Sequence, residues 1–227
     1  MSRYRHEYKY VIDAQQEAIL RIQAEGVLQP DSHTGPGGTY RIRSLYFDDI
    51  DDSCFYANES GTDPRAKFRI RYYNHDPSVM HLEKKSKCRG MTLKQSANLT
   101  VDECRQIIEG QKICLSDDMP DIKKKLLSEL EMQGMVPKVI VTYLRYPFVY
   151  SAGNVRVTFD EEITSSNDLD HFLTSDYEER PILGLGMNVL EVKWDEVLPQ
   201  HIKEALYMDN LQWSVFSKYY LCRCYHL

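Results

Sequence analysis

The sequence predicts an α+β fold: an eight-stranded antiparallel β-barrel tunnel with a polar, basic interior and helices packed outside. Strands and helices follow one another along the 227 residues without a linker, so residues 1–227 are expected to form a single domain. Most predicted strands are neighbours in sequence, which favours antiparallel pairing. Almost every strand has one apolar face and one face with like charges.

The strands are predicted mainly from alternation of polar and apolar side chains. Turn signals between them, at residues 74–78, at Arg89-Gly90 and at Ala152-Gly153, indicate hairpins. In chain order the predicted strands are residues 3–12, 40–48, 65–74, 79–87, 90–97, 137–150, 154–162 and 187–194.

Helices are predicted where capping residues precede apolar residues at helical spacing. The clearest signal is Thr100 with Glu103 three residues later, which is the pattern of a capping box. The segments 29–39 and 163–186 are predicted as loops, the latter with a small helix, and 49–60 as a short helix or irregular segment. The other predicted helices are 13–28 with Asp13 as its N-cap, 120–133 from Pro120 or Asp121, a helix from Pro199 to about 208, and a short terminal helix from Ser217.

Composition excludes several classes of protein. Hydrophobic residues make up 42% and charged residues 27%, as in globular proteins rather than disordered or fibrous ones. No apolar run is long enough to span a membrane, and the N-terminal residues lack the apolar core of a signal peptide. The net charge of −6 gives no global sign of nucleic-acid binding, and the six cysteines have no zinc spacing. We therefore expect a cytoplasmic protein with reduced thiols.

The charged strand faces are rich in Arg and Lys although the chain is acidic overall. For any one strand, an ordinary solvent-exposed face explains these charges. On several strands, however, the charged residues occur in pairs at i and i+2, which favours a sheet closed with its basic face inward. Two like charges 4 Å apart repel by about 1 kcal/mol in water and about 4 kcal/mol at an effective dielectric near 20, so a polyanion is the expected occupant. The faces are Glu7 and Lys9; Arg41 and Arg43; Lys67, Arg69 and Arg71; His81, Glu83, Lys85 and Lys87; Arg156, Thr158 and Asp160; and Glu191 and Lys193.

Both kinds of charge suit chemistry on phosphates. The Arg fork and the Lys point charge bind phosphate oxygens. The interspersed carboxylates are hard oxygen ligands for Mg²⁺ or Mn²⁺, which bridge to phosphates. The carboxylates are Glu7, Glu83, Asp160 and Glu191.

Nine segments in order resemble one known family. They are HEYKYVI (6–12), SLYFDD (44–49), KFRIRYY (67–73), LEKKSK (82–87), the strand around Lys94, YLRYPF (143–148), VRVTFD (155–160), VLEVKW (189–194) and FSKY (216–219). Over residues 3–220 this series resembles the VTC domain, the polyphosphate polymerase domain of the vacuolar transporter chaperone complex. That family is one of the triphosphate tunnel metalloenzymes, with the CYTH-type triphosphatases and class IV adenylate cyclases. The chain looks like a stand-alone member without the regulatory domain and membrane helices of the eukaryotic complex.

The resemblance implies transfer of the ATP γ-phosphate onto inorganic polyphosphate, with Mn²⁺ or Mg²⁺ as cofactor. Glu191 would be the leading metal ligand, with Glu7, Glu83 and Asp160 as weaker candidates that could instead be charge partners of tunnel arginines. Ser217 would help to hold phosphate beside Lys218. For Arg41 and Arg43 ordinary salt bridges are expected. The implied phosphate-binding and catalytic cations are Lys9, Arg69, Arg71, Lys85, Lys94, Arg145, Arg156, Lys193 and Lys218.

Two alternatives stay open on the sequence. One is a tripolyphosphatase or nucleoside triphosphatase of the same fold, since water could replace the acceptor chain. The other is a non-catalytic polyphosphate-binding module. In each case the expected partners are ATP and inorganic polyphosphate or triphosphate, without nucleic acid; a membrane partner protein stays undetermined.

Overall fold

In the computed structural model, which describes residues 4–35, 37–174 and 178–226, ten strands form one antiparallel sheet. The eight long strands match the eight predicted ones, and two strands of two residues each were not predicted. Residue 3 of the first predicted strand lies outside the described residues. The strands are β1 (His6–Asp13), β2 (Gln29–Pro30), β3 (Tyr40–Asp48), β4 (Arg65–Tyr73), β5 (Asp76–Cys88), β6 (Met91–Leu99), β7 (Val136–Tyr150), β8 (Val155–Ser166), β9 (Arg180–Pro181) and β10 (Met187–Trp194).

The sheet curls so that its two edges meet at one point. The strand order is β1-β10-β8-β7-β3-β4-β5-β6, with β2 beside β7 and β9 beside β8. The backbones of Arg5, just before β1, and Thr92 on β6 exchange two hydrogen bonds of 2.9 Å. Lys85 Nζ on β5 also lies 2.7 Å from Glu7 Oε2 on β1. We call the face that bears these two side chains the inner face.

Tight hairpins set the register of the strands that carry the basic residues. Asn74 and His75 both have positive φ, 52° and 58°, so β4 and β5 are joined by a two-residue turn of the type that matches strand twist. The predicted break at 74–78 is therefore too long, and β5 begins at Asp76. The predicted turn at Arg89-Gly90 is confirmed, with φ of 50° and 77°.

Six α-helices lie among the described residues, and their caps follow the predicted signals. Asp13 forms a capping box with Gln16, and Thr100 forms one with Glu103. The helix after Pro199 ends at Ala205 rather than near 208 because Tyr207 has a φ of +45°. The helices are α1 (Ala14–Val27), α2 (Ser53–Glu59), α3 (Val101–Ile108), α4 (Asp121–Met132), α5 (Gln200–Ala205) and α6 (Lys218–Cys224).

Four helices cover the outer face, as predicted. Side chains of α3 and α4, such as Cys104 and Leu126, pack with Phe68 and Ile70 of β4 in one buried cluster. A second cluster joins α1 and α5 to outer-face residues of β8 and β10. Burial of these apolar side chains fixes which face of each strand points inward.

The expectation that every helix packs outside is wrong for α6. Its Tyr219 and Cys222 are buried with Val141 and Tyr143, whose side chains lie on the inner face of β7. The inner face is therefore apolar where α6 covers it and polar elsewhere. Two long-range contacts of α6 account for this: Tyr219 lies against the Tyr46 ring, with centroids 5.4 Å apart, and Lys218 donates a hydrogen bond to Asp160 in the polar part.

None of the helices in the described ranges combines the length and the apolar character that crossing a membrane requires.

Candidate functional site

A polar cavity occupies the part of the inner face that α6 leaves uncovered. It is lined by residues of β1, β3, β4, β5, β6, β7 and β10, together with one residue of α2, the segment before α6 and the first turn of α6. Only two carboxylates, Glu7 and Glu191, are among the described residues that line it, whereas the lining cations are ten. These cations are Lys9, Arg65, Lys67, Arg69, Arg71, Lys85, Lys87, Arg145, Lys193 and Lys218.

Glu191 on β10 is the most heavily paired carboxylate. Its oxygens lie 2.6 Å from Lys193 Nζ, 3.0 Å from Lys218 Nζ, 3.4 Å from Arg145 Nη2 and 3.6 Å from Lys9 Nζ. Burial raises the pKa of Glu191, but these cations outweigh it and hold the pKa well below its usual value. Glu191 is therefore an ionised centre that orients four cations.

Glu7 on β1 joins the two edges of the curled sheet. It lies 2.7 Å from Lys85 Nζ and 3.2 Å from Lys9 Nζ. Burial again raises the pKa of Glu7, and Lys85 and Lys9 lower it further than burial raises it. Lys9 thus bridges Glu7 and Glu191, the two carboxylates that line the cavity.

Two more carboxylates lie behind the cavity wall and do not line it. Asp160 accepts two hydrogen bonds from Arg145, of 2.6 and 2.7 Å, and one of 2.6 Å from Lys218. Glu83 accepts from Arg69 Nε at 2.7 Å and from Lys94 Nζ at 2.9 Å. Both carboxylates are fully buried, so each fixes the direction of the cations that it holds.

Other cations in the cavity have only neutral partners among the described residues. Lys67 donates to Asn58 Oδ1 at 2.7 Å and to Ser217 Oγ at 2.9 Å. Arg71 donates to Ser44 Oγ and to the Tyr143 hydroxyl, each at 3.0 Å. No carboxylate forms a hydrogen bond with either of these side chains among the described residues, so an anion in the cavity can bind to both.

Burial, followed by the excess of positive charge, lowers the pKa of several lysines. Burial and then the charges of Lys9, Arg65 and Lys85 lower the pKa of Lys67 well below its usual value. Burial lowers the pKa of Lys85 to about 8, although Glu7 opposes the change. A bound polyanion would reverse both effects, because it restores the favourable field that the free cavity lacks.

The structure brings together most of the residues singled out from the sequence. Ten of them line the cavity: Glu7, Lys9, Arg69, Arg71, Lys85, Arg145, Glu191, Lys193, Ser217 and Lys218. Lys94 lies at the edge through its contact with Glu83, with 54% of its side chain exposed.

Three arginines expected on charged inner faces do not line the cavity, and two of them lie on the outer face. Arg156 lies on the inner face, opposite Lys193, but outside the cavity; its Nη2 pairs with Asp31 at 2.8 Å and with the Tyr40 hydroxyl at 2.8 Å. Arg41 and Arg43 point to the outer face, because Arg43 pairs in register with Tyr72 rather than with Arg71. Arg41 forms the expected salt bridge, 2.6 Å from Glu162.

Among the lining residues that were not candidates from the sequence are three cations and two tyrosines. Arg65 and Lys67 precede Arg69 at steps of two, and Lys87 follows Lys85 at the same step, so alternation along β4 and β5 was sufficient to find them. No local pattern distinguishes the other two, Tyr46 and Tyr143, among 16 tyrosines. Both accept hydrogen bonds from the arginine pair, Tyr46 from Arg69 and Tyr143 from Arg71, each at 3.0 Å.

The carboxylates fit a divalent cation only in combination with a substrate. No group of three His, Cys, Asp or Glu side chains is placed to hold a metal among the described residues. Mg²⁺, however, is usually bound by one or two carboxylates together with phosphate oxygens and water. Glu191 and Glu7, linked through Lys9, supply two such carboxylates on the cavity surface.

Solved structures similar to this one share its fold. A putative adenylyl cyclase from Hippeastrum with a dominant triphosphatase activity is 14% identical, with a TM-score of 0.57; the match covers 100% of this chain and 97% of that one. A putative adenylate cyclase from Bacillus halodurans is 13% identical, with a TM-score of 0.50 and coverage of 90% and 88%. No curated protein matches the chain.

The family comparison covers nearly the whole chain. The model of the VTC domain matches residues 4–226, which include every strand and helix described above. The resemblance seen in nine short segments thus extends over the complete sheet and its cavity, and the chain belongs to the VTC domain family.

Proposed function

We propose that this protein is a metal-dependent, ATP-using polyphosphate polymerase: a phosphotransferase that moves the γ-phosphate of ATP onto an inorganic polyphosphate chain. The observation that carries the proposal is the charge of the cavity, where ten basic side chains face two carboxylates. Counting the buried Glu83 and Asp160 as well leaves a formal excess of six positive charges. An anion with several adjacent phosphates matches that excess, whereas a single phosphate does not.

The arginine pair on β4 is proposed to bind the transferred phosphoryl group. Arg69 is fixed by Glu83 and Tyr46, and Arg71 by Ser44 and Tyr143, so neither has to reorganise when charge develops on the phosphoryl oxygens. Lys67 and Lys85, whose pKa values are lowered in the free cavity, contribute further donors. Together these cations neutralise the negative charge of the transition state. Phosphoryl transfer is accelerated mainly by positioning the reactants and by such charge stabilisation, with little covalent chemistry from the protein.

The reaction needs little proton transfer. The terminal phosphate oxygen of the acceptor chain attacks the γ-phosphorus, the bond from that phosphorus to the β–γ bridging oxygen breaks, and ADP leaves with its electron pair. An acceptor that is already an oxyanion requires no general base. Glu191 and Glu7 are the residues proposed to hold Mg²⁺ or Mn²⁺, which when bound neutralises phosphate charge. Against the effect of burial, Lys85 and then Lys9 hold the pKa of Glu7 well below its usual value. Lys193, Lys218 and then Lys9 do the same for the pKa of Glu191, so both carboxylates are ionised.

A triphosphatase of the same fold is the second candidate. It is favoured by the activity of the Hippeastrum protein, although that likeness establishes the fold alone. In such an enzyme water takes the place of the acceptor chain on the same phosphorus. A polyphosphate-binding module without turnover is the third candidate.

The test is incubation of the purified protein with γ-labelled ATP and Mn²⁺, with products resolved on a gel. Arg71→Met is the diagnostic variant, since its partners are neutral and its loss leaves no carboxylate without a cation. Arg41→Met, on the outer face, is the matched control. A ladder of long chains that Arg71→Met abolishes and Arg41→Met retains is the expected result.

Other results would select the alternatives. Free phosphate without chains would assign the protein to the triphosphatases. Tight binding of polyphosphate without turnover would indicate a non-catalytic polyphosphate-binding module. A protein that binds neither ATP nor polyphosphate would contradict all three candidate functions.

A further inference from the structure

Cations follow the inner face of β4 from its first residue. Every second side chain from residue 65 to residue 71 is basic, and all of them line the cavity: Arg65, Lys67, Arg69 and Arg71. Because a strand rises about 3.4 Å per residue, inward side chains on one strand are about 7 Å apart. From Arg69, which is proposed to bind the transferred phosphoryl group, the row therefore continues for about 14 Å to Arg65.

Near the start of β4 this row of cations is opposed by like charges on β5. Arg69 has an opposite charge as its cross-strand partner, whereas the two cations that precede it each oppose a lysine. Like charges directly across an antiparallel pair destabilise a sheet. An anion bound between such pairs replaces the repulsion with attraction. The register pairs are Arg69 with Glu83, Lys67 with Lys85 and Arg65 with Lys87.

The outermost pair, Arg65 and Lys87, has no carboxylate to balance it. Both side chains are half-buried and line the cavity, and neither forms a salt bridge within the part of the chain that the structure describes. Arg65 Nη1 donates to a neutral group, the carbonyl oxygen of Thr62, at 2.7 Å. Burial and then the charge of Arg65 lower the pKa of Lys87, and the carboxylates of Glu7 and Asp63 do not offset this. The charge of this pair is therefore open to a ligand that carries the opposite charge.

We propose that Arg65 and Lys87 form a second phosphate-binding subsite, which holds phosphates of a linear polyphosphate chain beyond those nearest the arginine pair. This inference rests on the proposed function, because it takes inorganic polyphosphate as the ligand. Lys67 and Lys85 lie between the two subsites, so a chain contacts cations at each step along β4 and β5. The second subsite distinguishes ligands by length: a long chain occupies both subsites at once, and triphosphate bound at the arginine pair does not extend to the second.

The experiment compares two ligands of different length, inorganic triphosphate and linear octaphosphate, by calorimetry at the same free Mg²⁺ concentration. The test variant combines Arg65→Met and Lys87→Met, which removes both charges and keeps the apolar stems. We expect the wild-type protein to bind octaphosphate about 10-fold more tightly than triphosphate. The test variant should bind octaphosphate about 10-fold more weakly than the wild type, which corresponds to about 1.4 kcal/mol, and triphosphate within about 2-fold. Its affinity for octaphosphate should also depend less on salt, because fewer counterions are released when fewer cations contact the chain.

The control variant combines Arg105→Met and Lys124→Met, which removes the same charge from α3 and α4. Neither of these side chains lines the cavity, so both ligands should bind to the control as they do to the wild type. Urea unfolding tests the folded state of the variants. The test variant should be at least as stable as the wild type, because it lacks a pair of like charges. A less stable test variant would contradict the repulsion from which the subsite is inferred.

Two results with the test variant would overturn the inference and leave the proposed function intact. Equal weakening of both ligands would place Arg65 and Lys87 in the same subsite as the arginine pair. Unchanged binding of octaphosphate would make them an ordinary solvated end of two strands. The inference also fails if the wild-type protein binds octaphosphate no more tightly than triphosphate. A wild-type protein that binds neither ligand would overturn the proposed function, and the second subsite with it.

Discussion

Removing the charge of Lys85 should stabilise the protein and weaken its binding of polyanions. Lys85 lies on the inner face of β5, and burial together with Lys9 and Lys193 disfavours its charged form despite the attraction of Glu7. In Lys85→Met the methionine keeps the apolar stem without the ammonium group. Glu7 is not left alone, because Lys9 Nζ is 3.2 Å away.

The size of the gain follows from the pKa of Lys85, which falls from 10.5 to about 8 on folding. Each pKa unit corresponds to about 1.36 kcal/mol, so protonated Lys85 costs the folded state about 3 kcal/mol relative to the unfolded chain. Since part of this side chain is exposed, we expect Lys85→Met to raise the free energy of unfolding at pH 7 by about 1–3 kcal/mol. The cost is fully present below pH 8 and disappears as pH rises toward 10.5, where the unfolded chain also loses the proton. The advantage of the variant should vanish over the same range.

The assay is urea unfolding at pH 7 and at pH 10, together with calorimetric titration of triphosphate. Lys84→Met is the matched control: the neighbouring lysine points to the outer face and pairs with Glu129 at 2.9 Å. We expect Lys84→Met to leave triphosphate affinity unchanged and to be no more stable than the wild-type protein. A Lys85→Met variant that is less stable at pH 7, or that binds triphosphate as well as the wild type, would refute the reasoning.

Three further predictions concern pH and stability. Bound triphosphate should raise the pKa of Lys85 from about 8. The affinity of the protein for triphosphate should therefore fall above pH 8, and binding at pH 9 should take up protons. Calorimetry in buffers of different ionisation enthalpy measures this proton uptake, and its absence would contradict the prediction. Lys218→Met should lower the free energy of unfolding by about 1.5–3 kcal/mol, because buried Asp160 keeps Arg145 but loses the hydrogen bond that Lys218 donates at 2.6 Å; a loss under about 1 kcal/mol in urea unfolding would show that the pair is not needed. Gly153→Ala should cost about 1–3 kcal/mol, since Gly153 has a φ of +73° and a Cβ there would lie 2.7 Å from the Val197 carbonyl oxygen; unchanged thermal unfolding would count against it.

Short-range signals predicted the elements of this fold well, and long-range packing explains where they failed. Capping residues such as Thr100 act within one turn, so the sequence alone reveals them. The two-residue strands β2 and β9 exist only because longer strands are already in place beside them. The placement of α6 on the inner face depends on Tyr219 meeting Tyr46, a contact between segments far apart in the chain.

Alternation placed most of the cavity residues correctly but not those of β3. On β4 the arginines alternate with Phe68 and Ile70, so the buried apolar face determines the polar one. On β3 both faces are buried, and alternation does not say which of them is the inner one. Arg43 is buried on the outer face, where it donates to the Tyr72 hydroxyl at 2.9 Å. The inner face of the same strand bears Ser44 and Tyr46, neutral partners of the arginine pair.

The proposed binding of a polyanion requires that positive charge in the cavity be separated from the negative charge of the rest of the protein. The chain carries a net charge of −6, while the cavity cations exceed the four nearby carboxylates by six, so the rest of the molecule carries −12. Such an exterior repels broad polyanions at any distance shorter than the Debye length of about 8 Å. A polyphosphate chain is thinner than a nucleic-acid duplex, so we expect the proposed substrate, and not a duplex, to reach the cations. We expect high salt to weaken the binding of triphosphate in the cavity less than that of a polyanion on the surface, because buried charges are screened less.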